Sequence, residues 1–393
     1  MADGDEMTID ERRKYRKKVQ PRYEAADRPG RGVLLTEMEA VTGLHRKSLT
    51  RLLAAPSLTR RPRRRQRGRV YGAELRAVVA LVWESLDYIC AERLTPALRP
   101  TARHLAAFGE CRLTPAVEAQ LGVISRATVQ RLLTPLPRPT PRLPRGGPEQ
   151  ANRLRREVPM KRLAWQLREP GHFEVDLVQH CGASASGEYV HTLQMVDVAT
   201  GWSERVAVLG RSQRAMEAGF RRILGRLPFP VLELHPDNGS EFFNDHLIRF
   251  WGEAITGLTL SRTRPYHKND NRLVEQKNDT LVRAYVGYGR LDTLAQTAAL
   301  DQCYEQLWVF YNLFQPVLHL AEKVLTTDKV RRKWDTAATP YQRLSATSAL
   351  GTEWRATLDA LHARTNPRHL RRDIYRALTC LWQPARVAAL AAD

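Results

Sequence analysis

Acids are scarce in this chain: 42 Asp and Glu stand against 62 Lys and Arg, a formal net charge of +20 over 393 residues. A surplus of that size suits a polyanionic partner and is ill matched to a basic one. Cysteine is also sparse. The five, Cys90, Cys111, Cys181, Cys303 and Cys380, are scattered and odd in number, with no C-x-x-C and no zinc spacing among the eleven histidines. That excludes a disulfide scaffold and a structural zinc site, and leaves thiols suited to a reducing cytoplasm. No run of eighteen apolar residues occurs, so no membrane span is expected. The polar start, with Asp3, Asp5, Glu6, Arg12, Arg13 and Lys14, lacks the apolar centre of a signal peptide.

The charge is unevenly spread. Residues 1–32, with Pro21, Pro29, Gly30 and Gly32, read as a basic flexible arm. From Leu34 a helical period leads to the turn Thr42-Gly43-Leu44. A second helix, His45 to Leu53, then buries Leu49, Leu52 and Leu53 and shows Arg46, Lys47 and Arg51 on its other side. The pattern recurs at Pro115–Leu133, where Ser125 caps a helix presenting Arg126, Gln130 and Arg131. Either unit alone could be an αα-hairpin of a bundle. In so basic a chain, both are expected to be helix-turn-helix units whose second helices enter a major groove. Between them, 60–69 holds seven arginines and no acid; Arg63, Arg64 and Arg65 are expected on phosphates or in a minor groove. Tyr71 to Leu94 reads as one long helix. Residues 33–133 are thus expected to form an all-α helix-turn-helix DNA-binding region. A Pro/Arg-rich linker, 134–165, with Pro135, Pro137, Pro139, Pro141 and Pro144, marks the next boundary.

Beyond Gly171 the pattern is that of strands: Phe173–Val178, Val190–Val198 and Trp202–Val208, an expected antiparallel meander. A helix over Gln213–Leu227, a short strand Val231–Leu234, a helix over Asp245–Thr256, a strand Leu258–Ser261 and a helix from Asn271 to Tyr285 follow. That order predicts an α/β core of ribonuclease H-like type over 166–290, a mixed five-stranded sheet with helices, followed by a helical C-terminal region over 291–393. Asp176 sits in the first strand, Asp237 ends the run Val231–Gly239, and Glu275 lies on the last helix of the core. Three carboxylates so placed suit a pair of Mg²⁺ ions, with Mn²⁺ as substitute, for in-line attack on a phosphodiester.

The stretch from about Phe173 to Gln315 resembles the integrase core of retroviral integrases and bacterial insertion-sequence transposases. The resemblance is carried by Val175-Asp176, by Val196-Asp197 through Gly201-Trp202, and by Asp237-Asn238-Gly239-Ser240-Glu241-Phe242. The block Ser261 to Asn271 running into Glu275-Gln276-Lys277-Asn278 and the tail Tyr311-Asn312 complete it. It covers a little over a third of the chain. It implies a DDE-type polynucleotidyl transferase with Asp176, Asp237 and Glu275 as catalytic metal ligands, and with Lys268 and Lys277 holding a DNA end near the site. Asp237 and Glu275 are 38 positions apart, slightly more than is usual in the family. The N-terminal half lacks the histidine–cysteine unit of retroviral integrases, which favours a bacterial transposase. Such a protein is expected in the cytoplasm with the nucleoid, binding double-stranded element ends and target DNA as a homo-oligomer.

Each acid also has a plainer reading: Asp176 as a cap at a sheet edge, Asp237 as a turn residue, Glu275 as a helix-surface acid. Asp270 competes for the third ligand position, and Glu174 and Asp197 read as structural. A DNA-binding regulator or assembly protein with an inert ribonuclease H-like domain, or a simple metal-dependent nuclease, are the functional alternatives.

Overall fold

The structure is a computed structural model that describes residues 7–54, 71–137, 169–236, 242, 245–261, 271–325 and 330–383. It divides into two compact units, Met1–Val70 and Tyr71–Asp393.

Among the described residues the first unit holds three helices: α1 (Ile9–Ala25), α2 (Arg28–Thr42) and α3 (Arg46–Leu53). Where the sequence led us to expect a flexible arm over 1–32, α1 forms and α2 has already begun. Thr8 and Glu11 make a reciprocal capping box at its start. Tyr15, Val19 and Tyr23, spaced by four, give the helix an apolar stripe that packs with Leu34, Leu35, Met38, Leu49 and Leu53. Gly43, left-handed at φ +67°, closes α2 with its N–H on the Glu39 carbonyl, and His45 caps α3. Helices α2 and α3, joined through Gly43, thus pack together with α1 as a third helix.

The second unit opens with α4 (Ala73–Ser85), α5 (Ala91–Ala107), α6 (Pro115–Val123) and α7 (Arg126–Leu133). The long helix expected from Tyr71 to Leu94 is broken. Asp87 and Tyr88 take left-handed backbone at φ +60° and +57°. The buried Asp87 carboxylate fixes the turn by accepting from Tyr285 Oη (2.7 Å), Arg371 Nε (3.0 Å) and Tyr375 Oη (3.0 Å). The expected helical region 33–133 is likewise divided at Val70, because α4–α7 share a hydrophobic core with the sheet and the C-terminal helices, including Trp308, Phe314, Tyr341 and Leu344. Polar ties add to that packing: Gln315 Nε2 donates to the Leu86 carbonyl at 2.7 Å, and Arg93 Nη2 to Gln315 Oε1 at 2.9 Å.

The sheet comprises β1 (His172–Gln179), β2 (Val190–Asp197), β3 (Ser203–Leu209), β4 (Glu233–Pro236) and β5 (Thr259–Leu260). Its order is β3-β2-β1-β4-β5, antiparallel across the first three and parallel from β1 to β4 to β5. With its flanking helices this is the ribonuclease H-like fold. One face presents Val175, Leu193, Met195, Val206 and Val208 to α8 (Gln213–Leu224), whose Met216, Phe220 and Ile223 fill the core with Trp251 of α9 (Asp245–Ala254). The other face receives α10 and α11. Helix α10 runs Arg272–Lys277, widens into a π-helical stretch Asn278–Arg283 and ends with Ala284–Val286. Helix α11 runs Leu294–Val309 and closes with a π-helical stretch Phe310–Phe314.

The C-terminal region is helical, with α12 (Pro340–Ser345), α13 (Thr352–Arg364) and α14 (Pro367–Leu381). Thr339 and Asn366 cap α12 and α14, with proline at the first helical position of each. Ahead of them lies an antiparallel ribbon, β6 (Leu320–Leu325) with β7 (Val330–Trp334), which the sequence reading did not contain. Glu322 and Lys323 interrupt β6 and three cations fill β7, so neither shows the apolar alternation by which strands are usually read. Among the described residues no helix is long and apolar enough to cross a membrane.

Candidate active site

Strand β1 carries Glu174 and Asp176 on one face, two residues apart, and α10 lies across that face. Three contacts fix the helix there. The Val274 N–H donates to Glu174 Oε2 at 2.8 Å, Asn271 Nδ2 reaches the Val175 carbonyl at 3.4 Å, and Asn278 Nδ2 donates to Asp176 Oδ2 at 2.6 Å. From β2, Gln194, the register partner of Asp176, donates to the Val274 carbonyl at 3.4 Å. Glu275 falls between these anchors, one residue after Val274 and one turn before Asn278. Two of the three expected ligands, Asp176 and Glu275, thus stand on elements tied directly to each other, and both are half-buried.

Glu174 is buried, at 4% exposure. Burial pushes its carboxyl up to about 8 against the pull of the Val274 and Leu273 backbone donors, and the Glu275 carboxylate adds to the upward push. Glu174 thus anchors the start of α10, in keeping with a structural role. Asp197 is buried too, accepting from Gly171 N (2.8 Å), Thr200 N (2.8 Å) and Thr200 Oγ1 (2.6 Å). It closes the turn between β2 and β3, and burial raises its carboxyl. The Tyr311-Asn312 block braces the same turn: Asn312 Oδ1 accepts from Ser203 N and its Nδ2 donates to Ser203 O, both at 3.0 Å, while Tyr311 Oη donates to Gly201 O at 3.2 Å.

Asp237 follows Pro236, the last residue of β4, which pairs with Val175 next to Asp176. Asp237 itself, Asp270 (the competitor of Glu275 for the third ligand position), Lys268 and Arg63, Arg64 and Arg65 lie outside the described residues. Lys277 is half-buried with its ammonium over the Tyr311 ring at 5.0 Å from the centroid. In α3, Lys47 and Arg51 are exposed, whereas Arg46 staples α3 to α2 through Thr36 Oγ1 (2.9 Å) and the Gly32 carbonyl (3.0 Å). In α7, Arg126, Gln130 and Arg131 are exposed; Arg126 pairs with Glu92 at 2.9 Å and Arg131 donates to Thr128 Oγ1 at 3.0 Å. The sequence reading missed Asn278 and Gln194. Asn278 had a legible signal, since three residues after Glu275 is one helical turn.

The sequence is 36% identical over 327 residues to the uncharacterized protein y4rM of Sinorhizobium fredii, covering 82% of this chain and 91% of that one. The chain belongs to the family of that protein. No protein-family model matches it. Among solved structures it is similar to the catalytic core domain of BIV integrase (17% identity, TM-score 0.29, 45% of this chain and 95% of that one). It is also similar to the catalytic core domain of HTLV-2 integrase in complex with magnesium (15% identity, TM-score 0.28, 38% and 90%). At such scores the fold assignment rests on the strand order and register above.

The donor set tests whether a hard cation would fit. Asp176 and Glu275 supply carboxylate oxygens, and buried Asn278 Oδ1 has no hydrogen-bond partner among the described residues. These are oxygen donors, as Mg²⁺ requires, with no sulfur or imidazole brought alongside by the contacts above. Among the described residues alone no three-residue metal cluster forms.

Proposed function

We propose that this chain is a DNA transposase of the DDE type, which cleaves element ends and joins them to target DNA. The observation that carries the proposal is the attachment of α10, the helix that bears Glu275, to β1, the strand that bears Asp176, through Glu174, Asp176 and Asn278. A helix-surface acid with no task would need no such buried anchoring. Asp176 and Glu275, with Asp237, would hold Mg²⁺. When bound, the metal supplies positive charge to the attacked phosphate and lowers the pKa of the attacking water or hydroxyl.

The chain's own residues do the rest. Asn278 orients the Asp176 carboxylate, and Glu174 holds the first turn of α10, so that both acids are fixed before DNA arrives. The exposed Lys47, Arg51, Gln130 and Arg131 would meet the terminal duplex, and Lys277 together with Lys268 would hold its end at the cleft. Charge reversal at both lysines is expected to weaken strand transfer, since it sets like charge against phosphate. The protein would work as a homo-oligomer on paired ends. The test is a strand-transfer assay on duplexes bearing the sequences that flank the encoding gene, with Mg²⁺ as the only metal. Nicking that exposes a 3′-hydroxyl, followed by joining, supports the proposal. Sequence-specific duplex binding with neither step, by protein of full solubility, would leave it a DNA-binding regulator.

A further inference from the structure

We propose that the β6–β7 ribbon and the groove at its base form a second duplex-contact surface, working beside α7; this rests on the DNA-binding reading above. The groove, about 720 Å³, runs between α5, the α6–α7 unit and the end of β7, and its walls include Arg99, Pro100, Arg126, Leu318 and Trp334. Trp334 is 49% exposed, although large aromatics are usually covered in a folded chain. Its neighbour two residues back, Arg332, shares its ribbon face by strand alternation, and Lys333 projects from the other side; both are exposed.

The groove's own walls balance Glu92 and Asp335 against Arg99 and Arg126, so the charge that distinguishes this surface lies on the ribbon. In β6 and β7 the sequence sets Lys323, Arg331, Arg332 and Lys333 against the single acid Glu322. That balance repels a basic surface and suits phosphate. The groove also opens at the first turn of α7, because Arg126 is the first residue of that helix and spans to Glu92 on the groove wall at 2.9 Å. A duplex whose major groove received the start of α7 would carry its flanking backbone over this groove. Arg332 would then meet a phosphate, and the Trp334 indole, on the same face, the apolar face of a deoxyribose. Two-stranded ribbons are an established way of reaching DNA alongside a helix.

The experiment uses the full chain and two labelled duplexes of equal length, one from the flank of the encoding gene and one scrambled. Arg332→Glu is expected to weaken binding to both duplexes several-fold at moderate salt and to lower the slope of log K against log salt by about one, whereas Lys333→Glu, on the opposite side of the ribbon, should change either much less. Trp334→Ala is expected to cost about three- to tenfold with the slope unchanged, as loss of an apolar contact. All three side chains are exposed, so circular dichroism and the melting temperature should match wild type and exclude misfolding. If Arg332→Glu and Trp334→Ala bind as wild type does, the ribbon proposal is overturned. If wild type itself binds neither duplex, the DNA-binding reading beneath it falls instead.

Discussion

Replacing Glu174 separates an anchor from a metal ligand. In Glu174→Ala the buried Val274 N–H loses its 2.8 Å acceptor, which costs about 1–3 kcal/mol. The emptied side-chain space adds about 1–2 kcal/mol, giving roughly 2–5 kcal/mol in all. Glu174→Gln keeps an oxygen aimed at that N–H. Because burial pushes the carboxyl up to about 8, the native group is largely protonated near neutral pH and the amide imitates it, so the cost should stay under about 1 kcal/mol. Activity should follow the same order. An α10 whose first turn is released misplaces Glu275, and a displacement near 1 Å costs about a hundredfold in rate. Denaturant unfolding and Mg²⁺-dependent nicking of a labelled duplex read both quantities. If Glu174→Gln folds with wild-type stability yet cleaves as poorly as Glu174→Ala, the negative charge itself is required. The anchoring argument would then be wrong.

Two further outcomes are expected. His180 is buried, with its pKa pushed down to about 3 by burial first and the nearby Arg283 next. A folded pKa below the unfolded one means stability is complete above about 6.5 and is lost as pH falls toward 3. Unfolding free energy should therefore drop by about 2 kcal/mol between pH 7 and 5 on account of this residue. His180→Gln should lose that share of the slope, and unchanged slopes would refute the assignment. In the first unit, Arg46→Ala should cost about 1–2 kcal/mol of stability through its two lost hydrogen bonds. Lys47→Ala and Arg51→Ala should leave stability within about 0.5 kcal/mol and each lower the salt slope of duplex binding by about one; calorimetry and fluorescence anisotropy measure the two effects.

The sheet was legible in the sequence because its strands are apolar and bounded by turns: Phe173–Val178 and Val190–Val198 match β1 and β2 to within a residue or so at each end. The α2–α3 helix pair was legible for a similar reason, Gly43 being the residue a left-handed helix end requires. What escaped was decided by distant partners. The break at Asp87 depends on Arg371 and Tyr375, nearly three hundred residues away, and no local pattern announces it. The α1 stripe of Tyr15, Val19 and Tyr23 was hidden by the lysines and arginines around it. The ribbon was hidden likewise, since Val330 to Trp334 is mostly cationic. At the candidate site, Asp176 and Glu275 were readable as residue types in a pattern, and the buried contacts of Glu174, Gln194 and Asn278 became visible only once β1 and α10 were brought together.

Asp176, Asp237 and Glu275 are proposed to carry the chemistry together. The most direct measurement is strand cleavage and joining in Mg²⁺ by Asp176→Asn, Asp237→Asn and Glu275→Gln, with Asp270→Asn as the control and duplex binding measured on the same preparations. Each of the three variants is expected to lose both reactions by several orders of magnitude while binding duplex as wild type does, and Asp270→Asn to remain near normal. Near-normal strand transfer by any one of the three, or its loss in Asp270→Asn, would contradict the assignment.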